Sequence, residues 1–250
     1  MDYLDTLSHF ASSLDYSKLE PQVQDQVGWI LADTVAAMAA GSAEPELRAI
    51  AKRQPACTPH HSAQLVGLGQ KSTPEAAAFI NGTSGTFLEM DEGNRFSRGH
   101  PAVHVIPAAL ALSQERTATA ESFLAGIVVG YEVGSRLGAA SQLRGAMHPH
   151  GTWGTLGAAA ACGRVAGLDD NDMRQTINIS ASLTTATSKQ TMLEGGLVRN
   201  VYAGLSNRNG LLALNLAECG FNGERDGPSS LLGKIISESF QTEAVTQGLG

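Results

Sequence analysis

Residues 21–42 read PQVQDQVGWILADTVAAMAAGS, and their spacing decides the fold class. Pro21 stands where a first helical turn tolerates it, and Val23, Val27, Ile30, Leu31 and Val35 recur at helical intervals. This predicts a helix that buries that face, with Gly41 marking its C-terminal stop. The same pattern continues outward. SAQLVGLGQKSTPEAAAFING opens with a short β-like run and a Gly turn, then turns helical after Pro74. Within it, GLGQKST resembles a phosphate loop but lacks the four-residue spacer before Gly-Lys. Three further helices are predicted over Pro107–Glu115, Ala120–Gly138 and Thr155–Leu168. Phe123, Ile127, Tyr131 and Gly134 fall on one stripe of the second, and Gly and Ala elsewhere would let helix axes approach closely. DDNDMRQTINISASL begins with capping carboxylates at Asp169 and Asp170, and AGLSNRNGLLALNLAECG closes on Gly220 as a C-cap. Strand signals are scarce, so the expected class is all-α, one helical domain over residues 1–250 with an irregular tail at 221–250.

Composition narrows what such a bundle can do. The chain has 250 residues, 42% hydrophobic and only 16% charged, enough to bury a real core. A net charge of -7 without any run of Lys or Arg argues against a nucleic-acid or anionic-membrane surface. An acidic substrate would have to be met by a few placed arginines. Cys57, Cys162 and Cys219 are odd in number and far apart, which disfavours a disulfide framework or structural zinc and fits a reducing compartment. MDYLDTLSHF has no signal-peptide pattern, and no apolar run approaches the ~18 residues of a membrane span. The expected location is cytoplasmic.

Three stretches could carry chemistry. In EMDEGNRFSRGHP, residues 89–101, Glu89, Asp91 and Glu92 are expected to close a helix, with Arg95, Arg98 and His100 on the loop that follows. Carboxylates at a helix C-terminus oppose the macrodipole, and pairing with Arg95 or Arg98 is the simplest offset. A surface salt-bridge cluster is the plain alternative. His100 and His104 at i,i+4 also invite a metal reading, but Pro101 and Pro107 should interrupt the helix it needs. In MHPHGTWGTLGAAAACG, His148 and His150 precede a Gly-rich turn entering a helix near Thr155, where Gly151 and Thr152 could present amides to an anion. Tight Gly-mediated packing would explain the same residues. In EGGLVRNVYAG, Arg199 and Tyr202 stand three apart near a helix start, a site or an ordinary capping loop. Arg144 and Lys189 have no context that lifts them above solvated surface.

LADTVAAMAAGS, PEAAAFINGTSGTFLEMDEGNRFSRGHPAVHVIPAALAL, GYEVGSRLG, HPHGTWGTLGAAAACGRVAGLD, GGLVRNVYAGLSNRNGLLA and GFNGERDGP, in that order, resemble the MmgE/PrpD family of 2-methylcitrate dehydratases, cis-aconitate decarboxylases and iminodisuccinate epimerases. The resemblance implies a large helical domain, which this chain would mostly supply, and a smaller α+β domain absent from it. It places the family's acidic motif on Glu89, Asp91 and Glu92, its His-Pro on His100-Pro101, its second active-site histidine on His148 and its basic residue on Arg199. Gly93 and Arg199 depart from the Thr and Lys of the decarboxylase and dehydratase pattern, and DEGNRFSRGHP looks closer to the epimerase-like branch. By this resemblance the chain would be a lyase or isomerase acting by proton abstraction α to a carboxylate on a small di- or tricarboxylate. No metal or cofactor would be needed. His100 and His148 would be the acid and base, Asp91 would orient an imidazole, and Glu89, Arg95, Arg199, Tyr202, Gly151 and Thr152 would contact substrate. It also implies a homodimer and, for a split enzyme, a second chain carrying the α+β domain. A non-catalytic dimerisation or ligand-binding module is the alternative.

Overall fold

A computed structural model describes residues 2–54 and 63–249, so Cys57 lies outside the described residues. The main helices are α1 (Tyr3–Ser13), α2 (Pro21–Gly41), α3 (Pro45–Ala51), α4 (Pro74–Phe87), α5 (Pro101–Arg116) and α6 (Ala120–Ala140). They continue as α7 (Trp153–Ala166), α8 (Asp170–Ser182), α9 (Lys189–Leu193), α10 (Val201–Glu218), α11 (Gly227–Ser230) and α12 (Thr242–Thr246). The described strands form two small antiparallel pairs, β1 (Ala63–Leu65) with β2 (Gln70–Ser72) and β3 (Ser141–Leu143) with β4 (Ser237–Phe240). The helical domain is therefore as expected, and VGLG, residues 66–69, is the turn of the first hairpin, with Gly67 and Gly69 in left-handed conformations.

Helix α7 lies at the centre, against α5, α6, α8 and α10, and α4 links α10 and α5 to the outer α2. Small side chains make this density possible. Gly126, Gly130, Gly134 and Gly138 form one i,i+4 ridge on α6 that faces α7. A Cβ at Gly130 would lie 2.7 Å from both Ala161 Cβ and the carbonyl oxygen of Gly157, and one at Gly157 would lie 3.2 Å from Gly134 Cα.

Several boundaries and faces differ from the sequence reading. Helix α5 begins at Pro101, not Pro107, so Pro107 sits inside it. Its ring removes the N–H that Val103 O would accept, and Asn207 of α10 repairs the gap: Asn207 Nδ2 donates to Val103 O at 2.8 Å and Ala108 N–H donates to Asn207 Oδ1 at 2.9 Å. Helix α2 buries Val27, Thr34, Ala37, Met38 and Gly41, whereas Val23 and Trp29 face outward. Gly41 ends α2 as expected, but for packing: a Cβ there would sit 2.0 Å from Ser84 O. Residues 221–250 are not an irregular tail over their described part. β4 pairs with β3, α12 packs on α1 and α6, and Arg136 donates to the carbonyls of Val245, Gln247 and Gly248.

Among the described residues, no helix is long and apolar enough to cross a membrane. Cys162 is buried and free, its thiol pushed up by burial, and Cys219 is exposed and free.

Candidate active site

Two loops face each other across a cleft of about 640 Å³. The first, residues 88–100, leaves α4 through Glu89, whose φ of 55° is left-handed. The acidic residues thus lie just beyond the end of the helix rather than in its last turn. Asn94 organises the loop. Its Oδ1 accepts the N–H groups of Phe96 (2.9 Å) and Ser97 (3.0 Å), an Asx-type turn, and its backbone pairs with Gly99 in both directions. Glu92 is a structural brace. It accepts the Tyr131 hydroxyl at 2.7 Å and the Ala102 N–H of α5's first turn at 3.1 Å, and burial pushes its carboxyl up.

That brace places His100 at the N-cap of α5. His100 Nδ1 lies 3.3 Å from the backbone oxygen of Asp91 and 3.3 Å from its carboxylate Oδ2. The backbone oxygen can only accept, so Nδ1 carries a proton and, in a neutral imidazole, Nε2 keeps its lone pair; Asp91 Oδ2, though near, makes no hydrogen bond among the described residues. The Asp91 side chain is only 2% exposed, and burial raises its carboxyl against the lowering effect of His100.

The second wall is residues 144–152, stitched to residues 184–189. His148 N–H donates to Thr187 O at 2.9 Å, Lys189 N–H to Ala146 O at 2.9 Å, and the Thr187 hydroxyl to the carbonyls of both His148 and His150. The N–H of His150 donates to His148 Nδ1 at 3.1 Å, so neutral His148 is protonated at Nε2. Burial, with the charge of Arg199 next, pulls His148 down to about 4. The His150 ring meets those of His100, His104 and His148 edge to face, with centroids 5.0, 4.7 and 4.8 Å away. His104 is fully buried with neither nitrogen bonded, beneath the space left by Gly154, and burial lowers it to about 3. Among the described residues, no group of three His, Cys, Asp or Glu side chains is arranged to hold a metal.

Glu89, Arg95, His100, His148 and Arg199 line this cleft together. Arg199 does not offer an open fork. Its guanidinium is buried and pairs with Glu89, Nη2 to Oε2 at 2.9 Å, while Nη1 also donates to Asn200. Glu89 is therefore offset by Arg199, and not by Arg95 or Arg98. Tyr202 stands behind His148, ring centroids 5.8 Å apart. Gly151 and Thr152 are not among the lining residues: the N–H and hydroxyl of Thr152 both turn to Pro149 O, and Gly151 packs on Thr185 and Thr187. The tight-packing alternative describes that turn better than an anion-binding one. The sequence reading passed over Lys189, which lines the cleft beside His148. Only the pairing of two distant loops brings it there.

Residues 5–230 match the model of the MmgE/PrpD N-terminal domain. The chain belongs to the MmgE/PrpD family. It is 28% identical over 224 residues to a cis-aconitate decarboxylase of Aspergillus terreus, covering 86% of this chain and 45% of that protein. To a cis-aconitate decarboxylase-like protein, oryM, of Aspergillus oryzae it is 27% identical over 228 residues, covering 87% and 47%. The chain spans about half the length of the curated relatives it matches. The MmgE/PrpD family thus includes lyases that act on a tricarboxylate, and these matches do not single out its epimerase-like branch.

Proposed function

We propose that the cleft is the acid–base half of an MmgE/PrpD lyase or isomerase that removes a proton α to a carboxylate on a small di- or tricarboxylate. The complementary tautomers of His100 and His148 on opposite walls carry this reading. His100, with Nδ1 turned to Asp91, presents a basic Nε2. On taking the proton it becomes an imidazolium that the Asp91 carboxylate stabilises. Neutral His148 presents Nε2–H, a donor suited to the oxygen that gains negative charge as the carbon is deprotonated, and Arg95 and Lys189 supply positive charge nearby. The proton on His100 then goes to the leaving hydroxyl in a dehydratase or to a different carbon in an isomerase that shifts a double bond; inversion at the same carbon needs a second acid on its opposite face.

The working enzyme is proposed to have two parts, with a further structural unit closing the cleft, and to assemble as a homodimer in the cytoplasm without a cofactor. Apolar side chains stand exposed around the cleft, among them Met90, Phe96, Leu193, Leu197 and Val198, which a covering unit would bury. The same exposure favours the second reading, a ligand-binding module without turnover, because an open site does not exclude water.

The test is turnover of a panel of small di- and tricarboxylates by the wild type, His100→Ala and His148→Ala. Losing the electrostatic donor should cost ~3 kcal/mol in the barrier, so His148→Ala should lower kcat about a hundredfold. Unchanged turnover in both variants sinks the assignment, and carboxylate binding with no turnover in the wild type moves the module reading to the front.

A further inference from the structure

Beside the cleft, and sharing Arg98, Met147, Pro149 and Lys189 with it, lies an annex of about 200 Å³. Three cations line it, Arg98, Arg144 and Lys189, and no carboxylate does among the described residues. Among the described residues none of the three is neutralised by an ion pair. Arg144 is held by backbone carbonyls, Nε to Ile235 O at 2.9 Å and Nη2 to Lys234 O at 3.3 Å. Arg98 donates Nη2 to Ser141 O at 2.8 Å from a backbone with φ of 56°, a conformation that costs a non-glycine residue energy. The Lys189 ammonium has no partner among the described residues. The three side chains are solvent-exposed, so they set a local positive potential in a chain of net charge -7 rather than a buried charge that must be neutralised.

A second observation is independent of charge. Trp153, 1% exposed, lines the annex, and its indole Nε1–H has no hydrogen-bond partner among the described residues. Gly138, also in the wall, lies against that edge, where a Cβ would come within 3.0 Å of Nε1; the N–H itself is covered, so an anion reaches it only if the wall gives slightly. A buried N–H without an acceptor is costly, and an anion's oxygen would satisfy it.

We propose that the annex is an anion subsite that receives one carboxylate arm of the polycarboxylate whose reacting carbon sits in the cleft, with Arg144, Lys189 and Trp153 Nε1–H as its donors. The identity of the anion rests on the proposed function; the subsite itself does not. At about 30 Å³ per water, the annex holds a carboxylate and its methylene with room for only a few waters. It would make a three-carboxylate ligand bind better than a two-carboxylate one.

The chain has two tryptophans, and Trp29 is 73% exposed, so Trp29→Phe leaves Trp153 as the only indole at little structural cost. In that background the indole ¹H–¹⁵N resonance is followed while propane-1,2,3-tricarboxylate, glutarate or inorganic phosphate is added. The tricarboxylate should shift it saturably, with glutarate at least about tenfold weaker. Lys189→Met and Arg144→Met should each raise the tricarboxylate Kd at least about tenfold. Arg144 also tethers residues 234 and 235, and Lys189 also lines the cleft, so the indole shift itself decides whether the anion occupies the annex. An indole that no anion moves overturns the subsite. Phosphate that saturates the signal and is not displaced by the tricarboxylate overturns the carboxylate-arm assignment. Turnover of a carboxylate with an unmoved indole sinks the annex alone, whereas a titrating indole without turnover sinks the enzymatic reading and leaves the annex standing.

Discussion

Arg199 and Glu89 form an uneven pair, since the arginine side chain is 8% exposed and the glutamate 59%. Removing the carboxylate strands a buried guanidinium whose Nε already lacks a partner, whereas removing the guanidinium leaves a carboxylate that water can solvate. Glu89→Gln should therefore cost about 1–3 kcal/mol, more than Arg199→Gln loses through electrostatics, and the double variant should be less destabilised than the two singles added together. Urea unfolding of all four proteins measures the cycle, and strict additivity would mean that the pair contributes nothing. At this scale the site was only partly legible. His100, His148 and Asp91 stood out because few other residue types can exchange protons near neutral pH. Lys189 and Arg144 did not, because a lysine beside a short helix looks the same whether it faces water or a cleft. The partner of Glu89 is hidden for a related reason: Glu89 and Arg199 meet through folding, while Arg95 and Arg98 are merely near in sequence.

The glycine ridge of α6 sets the spacing of the central helices. At Gly130 a Cβ would meet Val105 Cγ1 at 2.6 Å and the Gly157 carbonyl at 2.7 Å, the latter a backbone atom that cannot rotate away. Gly130→Ala should cost about 1–3 kcal/mol. Gly28, on the exposed side of α2, has no such neighbour within 4 Å, so Gly28→Ala should stabilise by about 0.5–1 kcal/mol through helix propensity alone. Thermal melts of the two variants should move in opposite directions, and a shared sign would contradict the packing described for α6 and α7. The helices were legible from periodicity and caps, as at Asp169, whose side chain accepts the Asp172 N–H. Their faces and starts were less so. Pro107 read as a helix start because nothing near it in sequence reveals Asn207, and α2 keeps Val27, Ile30 and Leu31 of its apolar stripe against the core but exposes Val23 and also buries Thr34, Ala37 and Met38. The pairing of β4 with β3 left no local signal, since SESF carries no alternation of apolar and polar residues.

For the molecule as a whole, the histidine cluster ties stability to pH. His104 and His148 titrate in the folded chain near 3 and 4, below the unfolded value of about 6.5, and burial lowers His150 as well. As pH falls, the unfolded chain takes up these protons first, so stability is lost from about pH 6.5 downward, and the loss levels off only near those folded values. Each imidazole that stays neutral sets a ceiling of about 1.4 kcal/mol per pH unit. Asp91 and Glu92 act in the opposite direction. Burial raises both carboxyls, so the folded chain binds their protons before the unfolded chain does, and this offsets part of the loss as pH approaches the carboxylate range. Between pH 6.5 and 5 the unfolded chain's histidines charge while three buried imidazoles, His104, His148 and His150, stay neutral, and these outnumber the two raised carboxyls. The urea midpoint should therefore drop from pH 7 to pH 5 with little change in slope. His104→Leu, which swaps a ring with two unbonded nitrogens for an apolar side chain in the same space, should flatten that drop by about 2 kcal/mol. A midpoint that does not fall, or a His104→Leu protein that keeps the full wild-type slope, would mean that the cluster carries a proton in the folded state and that His148 is not the neutral donor assigned to it.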